Sequence, residues 1–303
     1  MYDLVIIGCG PAGLSAAIYA ARAGLKFIIL EENLAGGQII NTYEIDNYPG
    51  IPAISGSELA ARMEEHARKL AGDSFIDDTV TSAVLNDSVK KIFTAEHKIY
   101  ETRSCLIATG ATHRKLGVPG EDLFSGIGVS YCATCDGAFF KGKNVAVIGG
   151  GNTAAMDALY LSGLCKNVCI IHRRNVLRAD KLLQDKLFAA DNIKIFWNSG
   201  VDEIYGNEQV RGLKIRDIKS DSVSDLSVDG IFVAVGITPA SALFSASVNT
   251  DKEGYIIADE TCMTNIPGVF AAGDVRTKNL RQVVTAVSDG ANAVTSVRQY
   301  LLG

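Results

Sequence analysis

The sequence predicts an α/β protein in which one strand–turn–helix–strand module occurs twice. The apolar run from Tyr2 to Ile7 is followed by the turn GCGPAG, an alanine-rich stretch and a second apolar run that ends at Glu31. The same order returns from Asn144, through GGGNTA and a second alanine-containing stretch, to Ile171. Short apolar runs bounded by glycine turns predict buried strands, and the longer segments between them predict helices. Both stretches are therefore predicted to be βαβ units.

Length and composition are consistent with two such modules. The chain has 303 residues, and a typical domain has about 150 residues, so two domains are expected. Apolar residues make up 48% of the chain and charged residues 21%, which excludes the polar, highly charged composition of disordered proteins. A net charge of −5 gives no general attraction to nucleic acid, so we expect no nucleic-acid partner.

The sequence also argues against a membrane protein. Two uncharged runs, Leu4 to Ala21 and Ile231 to Thr250, are interrupted by glycine, proline, serine or threonine, so neither is expected to be a membrane-spanning helix. The chain begins Met1-Tyr2-Asp3, without the positive charge that precedes the apolar part of a signal peptide. Seven cysteines, an odd number, do not suggest a secreted disulfide framework. A cytoplasmic location without a membrane partner is expected.

The two glycine-rich turns have the pattern of dinucleotide-binding sites in Rossmann-like modules. In such turns the first glycine permits the tight bend, the second lets the backbone approach a pyrophosphate, and the third position lets the helix pack on the strand. The phosphates then lie at the helix N-terminus. The matching positions are Gly8, Gly10 and Gly13 in the first module and Gly149, Gly151 and Ala154 in the second.

The residues after the second strand of each module distinguish the two ligands. Glu31 can accept hydrogen bonds from the hydroxyls of an unphosphorylated ribose, which favours FAD. The second module has His172-Arg173-Arg174 at this point, followed by Arg178. Guanidinium groups bind a 2′-phosphate, which favours NADPH. The alternative interpretation is a solvated basic turn.

A later segment is predicted to complete the first site. Asn265 to Ala272 is predicted to be a strand that leads into Gly273-Asp274, and Gln282 to Leu301 is predicted to be a helix. A strand, a small residue, an acid and a helix suit the ribityl and pyrophosphate groups of a flavin. Asp274 as an ordinary helix cap is an equally good alternative.

The sequence Cys132-Ala133-Thr134-Cys135 carries the chemistry, and Asp136 follows it directly. A zinc site would need two more ligands, but Cys169 is expected to lie within a strand and no histidine is near in sequence. A reversible disulfide explains the pattern better, because two intervening residues allow a small redox-active ring. Asp136 could exchange a proton with its thiols. We expect no metal site.

With these motifs, the chain resembles the low-molecular-weight thioredoxin reductases over essentially its whole length. The resemblance implies an FAD domain at residues 1–112 and 242–303, with an NADPH domain inserted at residues 113–241. It also implies a homodimer and a hinge where the chain crosses between the domains, near His113 and Pro239.

The resemblance also implies a set of site residues. Those expected to bind FAD are Gly8, Gly10, Ala12, Gly13, Glu31, Gly37, Gln38, Asn47, Thr109, Gly110, Asp274, Arg281, Gln282 and Val283. Those expected to bind NADPH are Gly151, Asn152, Thr153, His172, Arg173, Arg174, Arg178, Gly236 and Ile237. Cys132 and Cys135 are expected to be the redox pair and Asp136 its acid.

The implied activity is electron transfer from NADPH through FAD to the Cys132–Cys135 disulfide and on to thioredoxin. Cys135 would face the flavin, and Cys132 would attack the disulfide of the partner. Three alternatives keep this chemistry and change the acceptor to a peroxiredoxin system, another small dithiol, or oxygen. A flavin-binding redox sensor is a further alternative. The chain departs from the common family pattern at Ile127, Ala138 and Met156.

Overall fold

The computed structural model describes residues 1–42 and 44–303. The strands are β1 Tyr2–Ile7, β2 Phe27–Glu31, β3 Phe75–Asp77, β4 Val80–Val84, β5 Lys90–Thr94, β6 Ile99–Ile107, β7 Ala111–His113, β8 Val129–Ser130, β9 Asn144–Gly149, β10 Asn167–Ile171, β11 Ile193–Phe196, β12 Ser199–Gly206, β13 Val210–Asp217, β14 Val223–Ser227, β15 Gly230–Ala234, β16 Ile237–Pro239 and β17 Val269–Ala271. The helices are α1 Pro11–Arg22, α2 Gly56–Ala71, α3 Ala133–Asp136, α4 Asn152–Ser162, α5 Lys181–Ala189 and α6 Val283–Leu302.

The chain packs into two compact units. Unit 1 contains Met1–Thr42, Tyr48–Thr112 and Thr238–Gly303. Unit 2 contains His113–Ile237 together with residues 44–47. The main crossings between the units therefore follow Thr112 and Ile237, where the short strands β7 and β16 pair with each other.

Unit 1 is built on a sheet with the strand order β3-β2-β1-β6-β5-β4. Strands β1, β2, β3 and β6 run parallel, whereas β5 pairs antiparallel with β6 and β4 pairs antiparallel with β5. Strand β17 pairs in parallel with the last three residues of β6. As a result, the strand that begins the chain and the strand near its C-terminus both lie next to β6.

Helices α1 and α6 cover one face of this sheet. Buried alanines of α1, including Ala16 and Ala20, allow close packing against Ala293 and Val297 of α6. A Cβ atom added at Gly290 would collide with the backbone of α1. The two helices therefore approach closely, and this contact joins the two parts of unit 1 that are far apart in sequence.

Unit 2 repeats the parallel arrangement with the order β11-β10-β9-β15-β8. The register aligns Gly149 at the end of β9 with Ala234 at the end of β15, and Ile148 with Ile171 of β10. The carboxyl ends of these strands therefore meet at one edge, which is where α/β sheets bind their ligands. A separate antiparallel sheet, β12-β13-β14, completes the unit.

The α/β fold class predicted from the sequence is confirmed, and one predicted element is shorter than expected. The strand predicted from Asn265 to Ala272 extends only over β17, because Gly268 adopts a positive φ of 78° in the turn before it. In the described part of the chain, no helix combines the length and apolar character needed to cross a membrane.

Candidate active site

The first glycine-rich turn joins β1 to α1 at the carboxyl edge of the unit 1 sheet. Gly8 has a φ of 104°, which favours glycine. A Cβ atom at Gly13 would collide with the carbonyl oxygen of Gly8, so the third glycine is needed for helix–strand packing. At Gly10, in contrast, a Cβ atom would have no described protein atom within 4 Å. The space beside Gly10, at the start of α1, is therefore open for a ligand.

The carboxylate of Glu31 lies at the end of β2 and is held by backbone amides. The amide of Cys9 donates to Oε2 at 2.6 Å, and those of Glu32 and Asn33 donate to Oε1 at 3.1 and 3.0 Å. These contacts fix the carboxylate next to the glycine turn. Oε1 already accepts two hydrogen bonds, whereas Oε2 accepts one, so the second lone pair of Oε2 remains for a ribose hydroxyl.

Two further predicted segments lie against the same turn. The amide of Gly36 donates to the carbonyl of Cys9 at 2.8 Å, and a Cβ at Gly37 would lie 3.2 Å from the Cα of Gly10. Gly37 and Gln38 begin a short 3-10 helix there. After β6, the backbone carbonyl of Ala108 closely approaches Gly8, which brings the following pair, Thr109 and Gly110, to this edge.

The C-terminal segment brings Asp274 to the start of α1. A Cβ at Gly273 would lie 3.0 Å from that of Ala12, so the Gly273–Val275 turn lies against this helix. The Oδ1 atom of Asp274 is buried and has no hydrogen-bond partner among the described residues. Burial raises the pKa of Asp274, although Lys278 and Arg281 act in the opposite direction. A buried oxygen without a partner is a natural hydrogen-bond acceptor for a ligand hydroxyl.

The residues Arg281 and Gln282 lead into α6, which begins at Val283. Gln282 is the N-cap and forms a capping box with Thr285, and Val283 is the first helical residue. The guanidinium of Arg281 lies 3.9 Å from the ring centre of Tyr255. Of the remaining predicted residues for this site, Asn47 lies in the short segment that belongs to unit 2.

The second glycine-rich turn joins β9 to α4 in unit 2. A Cβ at Gly149 would overlap the carbonyl oxygen of Ala234, so the turn packs tightly on β15. At Gly151 a Cβ would contact no atom of the described residues within 4 Å. The two turns thus share an open second glycine, and Asn152 and Thr153 are exposed at the start of α4.

The basic segment after β10 lies beside this turn. The amide of Arg178 donates to the carbonyl of Gly150 at 2.7 Å. Asn152 and Asp180 exchange two hydrogen bonds of 2.8 Å, which fasten the segment to α4. The side chains of Arg173, Arg174 and Arg178 are exposed, so the structure presents three guanidinium groups to solvent near an open glycine.

His172 differs from its three basic neighbours because it is buried. Its ring occupies the space that a Cβ at Gly150 would need, and its Nε2 atom lies 2.9 Å from the carbonyl oxygen of Val176. Burial lowers the pKa of His172, and the nearby arginines act in the same direction. The geometry therefore favours a neutral imidazole that supports the basic loop.

Gly236 and Ile237 follow β15 at the same edge. Gly236 has a φ of 126°, and its carbonyl accepts a hydrogen bond of 2.9 Å from the amide of Arg114. A Cβ at Gly236 would lie 3.5 Å from the Cδ atom of the Arg114 side chain.

Cys132 and Cys135 form a disulfide in unit 2, with their Cα atoms 5.3 Å apart. Cys132 is the N-cap of the single-turn helix α3, and the amides of Cys135 and Asp136 both donate to its carbonyl. Gly137 packs against Tyr160 and Leu161 of α4, so the disulfide is mounted on the same unit as the second glycine turn. Among the described residues, no group of three or more His, Cys, Asp or Glu side chains could hold a metal ion.

Comparison with known proteins identifies the family of this arrangement. Residues 2–290 match the family model for pyridine nucleotide-disulphide oxidoreductases. The chain is 45% identical to a thioredoxin reductase of Listeria monocytogenes over 99% of this chain and 94% of that protein. It is 42% identical to that of Bacillus subtilis, over 99% and 95%.

A solved structure extends the likeness to the fold. The thioredoxin reductase of Streptococcus pyogenes superposes with a TM-score of 0.95 at 46% identity, covering 100% of this chain and 98% of that one. This chain belongs to the pyridine nucleotide-disulphide oxidoreductases. The resemblance to the thioredoxin reductases of that family, inferred from the motifs, is confirmed.

Within this disulphide oxidoreductase, sequence reasoning missed the role of Ser130. Its hydroxyl donates to Oδ2 of Asp136 at 2.5 Å and accepts from the amide of Cys132 at 3.0 Å. The Oδ1 atom of Asp136 is buried, and no described residue forms a hydrogen bond with it. Burial raises the pKa of Asp136, while the hydrogen bond from Ser130 lowers it. A serine two positions before a CxxC motif carries no signal by itself.

A second support, also missed, holds Tyr131, the residue directly before Cys132. Glu121 is buried, and its carboxylate accepts from the amides of Leu116 and Gly117, each at 2.8 Å, and from the hydroxyl of Tyr131 at 2.9 Å. Tyr131 also stacks on His113 with ring centres 5.4 Å apart. The residue before the disulfide is thus held by long-range contacts that sequence spacing does not reveal.

Proposed function

We propose that this chain is an NADPH-dependent flavoprotein that reduces the disulfide of a thioredoxin-like protein through its Cys132–Cys135 pair. The observation that carries the proposal is a disulfide mounted on the same unit as an open glycine turn flanked by exposed arginines. The names of relatives at 42–45% identity over nearly the whole chain support thioredoxin as the acceptor.

The residues around the first glycine turn fit FAD. The open space at Gly10 and the start of α1 suits a pyrophosphate, and the fixed carboxylate of Glu31 suits a ribose. Asp274 offers a buried oxygen for a ribityl hydroxyl. We therefore assign unit 1 as the FAD domain, and we expect Asn47 and Arg281 to contribute from their own segments.

The residues around the second glycine turn fit NADPH. Gly151, Asn152 and Thr153 line the open start of α4. Arg173, Arg174 and Arg178 supply positive charge for a 2′-phosphate, and Glu31 has no acidic counterpart here. We therefore assign unit 2 as the NADPH domain. His172 acts in this proposal by supporting the loop and not by adding charge.

The chemistry supplied by the two cofactors when bound is transfer of a hydride equivalent and of two electrons. Two electrons and two protons convert the Cys132–Cys135 disulfide into two thiols. Cys132, as a thiolate, then attacks the disulfide of the acceptor and forms a mixed disulfide. Cys135 attacks Cys132 next, which restores the intramolecular disulfide and releases the acceptor as a dithiol.

Asp136 handles protons during this exchange. It takes a proton from an attacking thiol, which is nucleophilic only as a thiolate, and returns it to the leaving thiolate of the acceptor. Because burial raises its pKa, Asp136 is a better proton donor near neutrality than an exposed aspartate. The assignment of Cys132 as the attacking residue and Cys135 as the flavin-facing one follows the family resemblance.

The cellular setting and assembly belong to the same proposal. The cysteines other than Cys132 and Cys135 are free thiols in the described residues, which suits a reducing compartment such as the cytoplasm. We also expect a homodimer, which sedimentation of the flavin-loaded protein would test directly.

The deciding experiment measures NADPH oxidation with an oxidised thioredoxin as acceptor. The flavin-loaded protein should produce two thioredoxin thiols for each NADPH that it consumes, and the Cys132→Ser variant should not. If the Cys132–Cys135 pair were reduced but no thioredoxin were turned over, the proposal that thioredoxin is the acceptor would be wrong. Parallel assays with a peroxiredoxin system, a small disulfide and oxygen would then identify which of them replaces it.

A further inference from the structure

We propose that Ser130 is a positioning residue for disulfide exchange, because it holds one oxygen of Asp136 and leaves the other to carry the exchanged proton. This inference rests on the proposed role of Asp136. It assigns the proton to a single atom, Oδ1, and it gives a function to a side chain outside the CxxC motif.

The hydrogen-bonding capacity of the serine hydroxyl supports the inference. A hydroxyl has one proton to donate and two lone pairs to accept with. At Ser130 the amide of Cys132 occupies one lone pair at 3.0 Å. The proton can reach Oδ2 of Asp136 at 2.5 Å or the carbonyl of Cys132 at 3.3 Å, and the shorter contact to a carboxylate is the stronger one.

The backbone of Ser130 is well placed to hold this geometry. Ser130 is the last residue of β8, where it pairs with Phe232 of β15, and it is buried. Asp136 is the last residue of α3, whose first turn follows directly from Cys132. One side chain on a strand thus connects the beginning and the end of the CxxC turn, and groups held by such elements keep their orientation.

The free oxygen of Asp136 has the properties of a proton carrier. Oδ1 is buried, and none of the described side chains or amides forms a hydrogen bond with it. Burial has the largest effect on the pKa of Asp136 and raises it; Asp46 also raises it, and the bond from Ser130 lowers it. Ser130 therefore favours the ionised carboxylate, the form that accepts a proton.

In this proposal Oδ1 of Asp136 takes up one proton during the exchange and then releases it. The attacking thiol loses its proton to Oδ1, and the sulfur–sulfur bond of the acceptor breaks as the new bond to Cys132 forms. The leaving thiolate of the acceptor then takes the proton from Oδ1. Throughout both transfers Oδ2 accepts from the hydroxyl of Ser130, so the carboxyl group does not rotate.

The test compares three variants with the wild-type protein. Ser130→Ala removes the hydroxyl, and Ser130→Thr retains it. Ser199→Ala is the matched control, because Ser199 is also a buried serine of unit 2 but its hydroxyl donates to the carbonyl of Trp197. All three are prepared as full-length, flavin-loaded protein.

The first measurement is the pKa of Asp136 by ¹³C NMR of aspartate-labelled protein in the oxidised state, with the signal assigned by its loss in Asp136→Asn. We expect a higher pKa in Ser130→Ala, because the ionised carboxylate loses a hydrogen bond. Ser130→Thr should restore the wild-type value and Ser199→Ala should not change it. An unchanged pKa in Ser130→Ala would overturn the inference.

The second measurement is the single-turnover rate of the pre-reduced protein with oxidised thioredoxin as a function of pH. Ser130→Ala should lower the rate at neutral pH about tenfold, the lower end for a hydrogen bond to a charged group. The pH at which the rate rises should be higher in Ser130→Ala than in the wild-type protein, because Asp136 then ionises at higher pH. A merely structural role would lower the rate without shifting this pH, and this result would also overturn the inference.

The double variant Ser130→Ala/Asp136→Asn distinguishes the role of Ser130 from the role of Asp136. If Ser130 acts through Asp136, then Ser130→Ala should change the rate of Asp136→Asn by less than about twofold. Additive losses would overturn the positioning role while leaving Asp136 in place. If Asp136→Asn itself had an unchanged rate and pH dependence, Asp136 would have no role in proton transfer. The positioning role of Ser130 would then be refuted as well.

Discussion

Arg276 and Asp289 form a buried, bidentate ion pair in unit 1. Nη2 of Arg276 lies 2.7 Å from Oδ1 of Asp289, and Nε lies 2.9 Å from Oδ2. The two side chains are 2% and 3% exposed. Oδ2 also accepts from Nζ of Lys278 at 2.9 Å and from the amide of Gly273 at 2.8 Å. Asp289 of α6 therefore holds the Gly273–Val275 turn in place. This turn carries Asp274, the residue proposed to bind the flavin.

Removal of this carboxylate should strongly destabilise the protein. Asp289→Ala removes the buried carboxylate from the guanidinium of Arg276 and leaves it only the exposed carboxylate of Glu260 at 3.2 Å. Loss of a buried partner costs about 3–5 kcal/mol in the free energy of unfolding. Urea unfolding of the flavin-loaded protein measures the change. The control is Asp221→Asn, which removes the charge from an exposed pair with Arg216 and should cost less than about 1 kcal/mol. Asparagine is used because residue 221 has a positive φ of 57°, which asparagine tolerates better than alanine. Equal losses in the two variants would contradict the prediction.

The same ion pair should make stability depend on acid pH. Burial alone would raise the pKa of Asp289, but hydrogen bonds from Arg276 and Lys278 outweigh it and hold the pKa below its ordinary value. The resulting stabilisation is complete above the unfolded pKa of about 3.9 and is lost as pH falls through the lower folded pKa. The drop in the free energy of unfolding below about pH 4 should therefore be smaller in Asp289→Asn. An identical acid limb in both proteins would exclude Asp289 as its source.

Alanine substitutions at the two open glycines, Gly10 and Gly151, should each impair binding of only one cofactor. Gly10 has a φ of −70° and Gly151 a φ of −94°, so alanine fits either backbone without strain. Gly10→Ala should weaken FAD retention, because the added methyl group occupies the space of the pyrophosphate, and it should leave the unfolding of the apoprotein nearly unchanged. Gly151→Ala should raise the KM for NADPH and retain FAD. Each variant is the control for the other, measured by flavin content and steady-state kinetics.

Nucleotide preference should depend on the exposed arginines of unit 2. Loss of one charge-assisted contact to a phosphate costs about 1.5–3 kcal/mol, or roughly tenfold to a hundredfold in affinity. Arg173→Ala should therefore raise the KM for NADPH by that factor and leave NADH use nearly unchanged. Arg211→Ala removes an exposed arginine of β13 and serves as the control. An equal loss with both nucleotides would show that Arg173 does not read the 2′-phosphate.

The two cysteines should give different spectra when each is replaced by serine. If Cys135 faces the flavin, Cys132→Ser leaves a thiol that can donate charge to oxidised FAD once it is deprotonated. A long-wavelength absorption shoulder should then rise with pH along the titration of that thiol. Cys135→Ser should lack the shoulder and should trap an acceptor as a mixed disulfide. A shoulder only in Cys135→Ser would reverse the assigned roles, and full activity in either variant would remove the pair from the mechanism.

The repeated module and its chemistry could be predicted from sequence because they depend on local patterns. Strand β1 has the predicted bounds, and α6 begins one residue after the predicted Gln282. Apolar runs and glycine turns specify such elements directly. The strand predicted from Asn265 to Ala272 was wrong in its first half, because Pro267 and Gly268 form a turn. The apolar residues on either side of this turn made the segment look like one continuous strand.

The sequence by itself determined the α/β class, the two glycine turns, the basic segment of the second one and the disulfide-forming CxxC pair, because short-range spacing encodes each of them. Only the tertiary structure decided that His172 is buried and lies against Gly150 while its three arginine neighbours are exposed. It alone placed the hydroxyl of Ser130 on Asp136 and joined Arg276 to Asp289. Burial and hydrogen-bond partners depend on which side chains the folded chain brings together, and neither can be read from residue spacing.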